Sequence, residues 1–223
     1  MPAELIQATD GNFYGAALSG GANEWGTIFK ISTSGTFTNV YSFCSQAQCA
    51  DGTGAASLIQ ATDGNFYGTT GGGGVNNGGT IFRLTPSGTL TTLYDFCQQS
   101  CPNTPYPYGL VQHTDGSFYG LTLYGGSGCG VNGCGTIFKL PTGLGPFVKT
   151  LEAGGKVGSS VEILGTNLTG ATSVSFHGKA ATFTVISASE ITATVPTGAT
   201  TGKIQVVTPG STLVSNVSFY VRP

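Results

Sequence analysis

The chain has 223 residues, room for one or two domains. Hydrophobic residues make up 39%, charged residues only 8%, and the net charge is −2. That composition can fill a core, but it has no basic footprint for nucleic acid or an anionic membrane surface. No run of about 18 apolar residues occurs, so no membrane-inserted helix is expected. Met1 leads straight into a repeat, so a signal peptide is not expected within this chain, and an exported protein would be in mature or trimmed form.

The first elements already form a repeat. Residues 5–15 read LIQATDGNFYG, followed by a variable loop, GTIFKIS at 26–32 and GTFTNVYSFC at 35–44. The same order returns as LIQATDGNFYG at 58–68, GTIFRLT at 79–85 and GTLTTLYDFC at 88–97. A third unit has LVQHTDGSFYG at 110–120 and GTIFKL at 135–140, then stops. The starts, Leu5, Leu58 and Leu110, lie 53 and 52 residues apart, a period found in propellers and solenoids.

Each unit holds four short segments rich in β-branched and aromatic residues, bounded by Gly, Asp, Asn and Ser, which are strand signals. Leu90, Thr92, Tyr94 and Phe96 alternate as one face of the fourth strand. The Asp-Gly pairs predict hairpin turns between the first and second strands, of type I′ with positive φ at both central residues. The competing reading is calcium at Asp10, Asp63 and Asp115. Such a site needs six to eight oxygens, and each turn offers one carboxylate, so no cofactor is expected. The recurring Phe13/Tyr14, Phe66/Tyr67 and Phe118/Tyr119, with the Phe of each GTIF, are expected to form core between units.

Antiparallel meanders then sort the loops into two ends. One end is nearly invariant: TDGN or TDGS, and TSGT or PSGT. The other end varies, and it holds Glu24, Trp25, Tyr106, Tyr108, Tyr124 and all six cysteines. Rigid scaffolds carry recognition in such loops, so these five residues are the candidate binding residues, with glycan as one ligand class. The alternative is that the loops simply drift in solvent and the aromatics cover the core rim. The cysteines fall in close pairs, Cys44/Cys49, Cys97/Cys101 and Cys129/Cys134, which read as three disulfides and an extracellular or cell-surface home. A zinc site would want knuckle spacing or histidine partners, and His113 and His177 stand at neither.

After residue 143 the pattern changes to short alternating strands with turns every 8–12 residues, which suggests a β-sandwich. The proline that opens PFVKTL (146–151) favours that segment as the sandwich's first strand over a missing fourth strand of the third unit. GSSVEILGTNLTGATSVSFHG and ITATVPTGATTGKIQVVTPGS, within 147–223, resemble the IPT/TIG immunoglobulin-like family. The resemblance implies a spacer or interaction module without catalysis. Residues 5–140 resemble the GloVer-type tandem repeats of secreted bacterial proteins, through the YGTT…GG…GTIF pattern. That resemblance implies a propeller-like, surface-associated protein, although such proteins usually carry more repeats and often an anchor.

The expected fold is all-β. Incomplete propeller-type repeats span 1–143, as units 5–57, 58–109 and 110–141, the last lacking its fourth strand. An Ig-like sandwich spans 144–223. The expected function is a non-catalytic surface module for binding, adhesion or assembly. Its expected partners are a glycan or surface protein, or copies of itself joined at open blade edges. The enzyme alternative, a propeller-type hydrolase or lyase, would need His113 in a cleft with carboxylates.

Overall fold

The computed structural model describes residues 2–97, 105–127 and 133–223, with side chains from residue 5. The chain divides into two compact units: Met1–Gln112 with Phe118–Leu140, and His113–Ser117 with Pro141–Pro223. The described residues are all-β, with one short 3₁₀ turn at Ala47–Cys49 and no α-helix.

The first unit contains three antiparallel sheets. Strands β1 (Pro2–Gln7), β2 (Phe13–Ala17), β3 (Thr27–Ile31) and β4 (Phe37–Ser42) pair in chain order. Strands β5 (Thr53–Gln60), β6 (Phe66–Gly72), β7 (Thr80–Leu84) and β8 (Leu90–Asp95) repeat the arrangement. The third sheet has β9 (Pro107–Gln112), β10 (Phe118–Thr122) and β11 (Thr136–Leu140), three strands among the described residues.

The sheets pack through the recurring aromatics. The Tyr14 ring lies 4.3 Å from Phe66, and Tyr67 lies 4.5 Å from Phe118. A second row runs beside it: Phe43 meets Phe82 edge-on at 5.2 Å, and Phe96 meets Phe138 at the same distance. Aromatic pairs in this range add about 0.5–1.5 kcal/mol beyond the area they bury. The last glycine of each FYG makes room for this row. A Cβ at Gly15, Gly68 or Gly120 would sit 2.3–2.5 Å from a ring atom of Phe29, Phe82 or Phe138. The ring therefore lies across bare backbone of the neighbouring strand.

The fourth strands depart from simple alternation. Ile81 pairs with Tyr94 and Phe82 with Thr92, so Leu93 is the extra residue of a bulge. The expected common face of Leu90, Thr92, Tyr94 and Phe96 is therefore broken. A single inserted residue moves everything beyond it to the opposite face, and this is how Phe96 reaches Phe138. Val40 does the same in the first sheet, between the Ile28–Tyr41 and Phe29–Asn39 pairs, and Phe43 reaches Phe82.

Equivalent residues differ in burial according to their neighbours. Ile28 and Ile81 are 0% and 1% exposed, whereas Ile137 at the same place in the third sheet is 77% exposed. Phe66 and Phe118 are 1% and 0% exposed, whereas Phe13 in the first sheet is 37% exposed.

In the second unit, β12 (Lys149–Thr150), β14 (Ser160–Leu164), β18 (Glu190–Thr194) and β17 (Phe183–Ser187) form one sheet, in the order β12-β14-β18-β17. A second sheet runs β16 (Lys179–Ala180), β15 (Ser173–Phe176), β19 (Ile204–Thr208), β20 (Ser211–Val214). A short parallel pair joins β13 (Gly154–Lys156) to β21 (Tyr220–Arg222). Alternate residues of both sheets share one core, with Val161, Ile163, Ile191 and Ala193 from the first and Val174, Phe176, Ile204 and Val206 from the second. Phe147 and Val148 are buried, and Lys149–Thr150 pair with β14, so PFVKTL belongs to this unit's sheet.

Candidate functional site

The conserved-looking turns have one geometry. Gly11 N donates to Ala8 O and Ala8 N to Asn12 O, both at 2.9 Å. Gly11 has φ +83°, while Asp10 is not in the positive-φ region. This is a three-residue hairpin loop, a type I turn closed by a glycine in the left-handed region. It replaces the expected type I′ turn, because only the glycine needs positive φ. The turns at 61–65 and 113–117 repeat it, as do 32–36 and 85–89.

Within the turns, each Asp carboxylate holds its own loop. Asp10 Oδ1 accepts from Asn12 N at 3.0 Å, and Oδ2 accepts from Asn12 Nδ2 at 2.8 Å, Tyr14 OH at 3.0 Å and Lys30 Nζ at 3.1 Å. Burial would raise the Asp10 carboxyl, but these donors outweigh it and hold the group down at about 2. Asp63 repeats the pattern with Asn65 and Tyr67. Burial and then the bond to Asp63 push the Tyr67 phenol up to about 12. Asp115 accepts from Ser117 N at 2.8 Å and lies 3.1 Å from His113 Nδ1. Asp10, Asp63 and Asp115 thus act as turn locks, and among the described residues no group of three His, Cys, Asp or Glu could hold a metal.

The pairing order puts these five turns at one end of the sheets and the variable loops at the other. The variable loops are tied together by backbone. Gly54 N donates to Trp25 O at 2.7 Å, Gly74 N to Cys49 O at 2.9 Å, and Tyr124 N to Pro105 O at 3.0 Å. Trp25 is 57% exposed, Glu24 beside it is exposed with φ +64°, and Tyr108 and Tyr124 are exposed. Tyr106 is half-buried, with its ring over Gly71, where a Cβ would meet it at 2.6 Å. Trp25 and Tyr124 sit on the loops of the first and third sheets, while Tyr106 and Tyr108 lie on the segment leading into and along β9.

Cys44 and Cys49 are joined by a disulfide. Cys97 and Cys134 are also disulfide-bonded, while Cys101 and Cys129 lie outside the described residues. The first disulfide frames Asp51, which sequence reading passed over. Asp51 is fully buried, and its Oδ2 accepts from Tyr41 OH at 2.8 Å, Ser45 N at 2.9 Å and Ser45 Oγ at 3.0 Å. Burial leads, with the Asp51 bond, in pushing the Tyr41 phenol up to about 12. The signal in the sequence was an acid two residues beyond a cysteine-closed loop, CSQAQCAD.

His113 is exposed at the turn end, its Nδ1 accepting from Asp115 N at 3.2 Å. His177 is exposed in the second unit, with Nδ1 2.8 Å from Thr200 Oγ1 and its ring over Gly202.

The family model described as the Gloeobacter/Verrucomicrobia repeat matches residues 1–186. The chain belongs to that repeat family. No curated protein matches. Among solved structures, a candidate gluconolactonase is 11% identical, with a TM-score of 0.37, over 86% of this chain and 58% of that one. The repeat-family chain thus spans less than two thirds of that protein's length, and a likeness at this level carries no argument about activity. Among the described residues no helix is long and apolar enough to cross a membrane.

Proposed function

We propose that this chain is a non-catalytic module of an extracellular or cell-surface protein that binds or adheres through its variable loops. In this reading the repeat sheets are blades of an incomplete propeller, and the second unit is an Ig-like sandwich of the IPT/TIG type. The observation that carries it is the sorting of the two ends. Five turns of one geometry form one end, whereas the other presents Trp25 and Tyr124, on loops, and Tyr108, at the start of β9, to solvent, with the loops tied by backbone bonds and the Cys44–Cys49 disulfide. Loops held this way lose little freedom on binding, and Trp and Tyr supply large contact area on stiff side chains. The disulfides support an oxidising compartment. Catalysis is left out, since His113 stands exposed at the opposite, turn end of its strand.

Binding to an array of cell-surface polysaccharides tests the reading. Trp25→Ala and Tyr124→Ala should each weaken binding with the melting temperature unchanged. Binding that survives both substitutions would remove the loops from the proposal.

A second reading, assembly from copies of the chain, is favoured by the exposure of Ile137 and Phe13 at positions buried elsewhere in the repeat.

A further inference from the structure

The first unit makes the same inter-sheet interface twice. The leading face of one sheet presents a Tyr and an Ile: Tyr14 and Ile28, then Tyr67 and Ile81, all buried. The receiving face of the next presents a Leu and a Phe: Leu58 and Phe66, then Leu110 and Phe118, also buried. One copy of each face is left over. On the third sheet, Val111, Leu121 and Ile137 lie on the leading face, as their pairing with or beside Tyr119 requires, and all three are exposed. On the first sheet, Leu5 and Phe13 lie on the receiving face with Phe29, and both are exposed. These bare apolar residues thus lie on sheet faces.

A polar clasp tells the same story. Gln60 Oε1 accepts from Thr9 N at 2.8 Å, and Gln112 Oε1 accepts from Thr62 N at 3.1 Å. Each clasp joins a receiving strand to the turn of the preceding sheet. Gln7, the equivalent residue of the first sheet, uses its Nε2 on Gly11 O at 3.3 Å, as Gln60 uses its own on Gly64 O. Gln7 is exposed and has no preceding turn within this chain.

We infer that the leading face of the third sheet docks on the receiving face of the first sheet of a second copy of this chain, repeating head-to-tail the interface made twice within it. The inference rests on the assembly reading above and not on loop binding. The occupant is a second copy because the chain carries both halves of the contact, and the two internal examples show that these halves fit. Such an interface is heterologous, so copies form a closed ring or an open row according to the rotation per sheet. The bare apolar residues supply the driving force.

The test uses the full chain and two charge variants on exposed positions, Ile137→Lys and Phe13→Lys. Sedimentation over a wide concentration series should show the parent chain self-associating. Each variant alone should associate at least about 30-fold more weakly, the scale of a lost central anchor. An equimolar mixture should form a one-to-one heterodimer and go no further, because it holds one intact leading face and one intact receiving face. Circular dichroism and melting confirm that the variants fold. Glycan binding by the same variants reports on the loops separately. A parent chain that stays monomeric throughout overturns the inference and leaves the faces for further units of a longer polypeptide. Variants that assemble like the parent, or folded variants whose mixture forms no heterodimer, overturn it as well.

Discussion

Gln60 and Thr9 are 51 residues apart in sequence, yet the Gln60 side-chain carbonyl accepts the Thr9 backbone N–H at 2.8 Å. The bond ties the end of the second repeat's first strand, β5, to the turn of the repeat before it, beside the Tyr14–Phe66 contact. Gln60→Ala should lower stability by about 1 kcal/mol, the net worth of one such bond. Gln7→Ala removes the same residue where this chain has no preceding repeat, and should cost less. Urea midpoints of the two variants at equal m-value check the difference.

Phe66 and Phe13 occupy the same place in the repeat but not the same environment. Phe66→Ala should destabilise by about 3–5 kcal/mol, the range for a fully buried aromatic. Phe13→Ala, measured where the chain is monomeric, should cost well under half of that. Equal losses at the two sites would mean that Phe13 is covered in solution.

Gly68→Ala places a methyl against the Phe82 ring and the Ser57 carbonyl, at 2.5 and 2.2 Å before any adjustment. Overpacking of this kind costs about 1–3 kcal/mol. A melting curve will show the loss, and the Phe82→Leu background should reduce it, since a smaller side chain frees the space over the strand.

Asp10 gives the turn end an acid dependence. Its carboxyl lies at about 2 in the folded chain against an ordinary 3.8. A depressed folded value means that the carboxylate stabilises the fold above about pH 4, and that this contribution fades as the pH falls toward 2. The group is partly exposed, so solvent screening keeps the effect modest. Asp10→Asn should lower the melting temperature at pH 6 and flatten its fall between pH 4 and 2. A parallel slope for parent and variant would contradict the assignment.

Asp51 should be the more demanding carboxylate, because it is fully buried with its donors arranged by the Cys44–Cys49 loop. Asp51→Ala takes the carboxylate from Ser45 N and Gln46 N and leaves Tyr41 OH with Ser45 Oγ, and should cost about 2–4 kcal/mol. Reducing the disulfides should lower stability and speed proteolysis within residues 44–52, read by mass spectrometry of the fragments.

Much of this was legible in the residues alone. The three units, their strands, the sorting of the two ends and the change of pattern after residue 143 follow from periodicity and turn chemistry, which act over a few residues. The Asp-Gly signal marked the hairpins correctly but not their type, since TDGN and TSGT needed one positive-φ residue each and the glycine supplied it. The faces of the fourth strands were misassigned because a bulge at Leu93 leaves no local trace beyond one more apolar residue. What only the tertiary structure decided is environment. The FYG phrase is written identically around Phe13 and Phe66, yet one is 37% exposed and the other 1%. Burial belongs to the neighbour across the interface, and no pattern within a repeat encodes whether that neighbour is there. The same holds for Gln60, whose partner is 51 residues away, and for Asp51, whose burial depends on a loop folding over it. Local chemistry set the strands and turns; long-range packing chose which identical residues became core and which stayed bare.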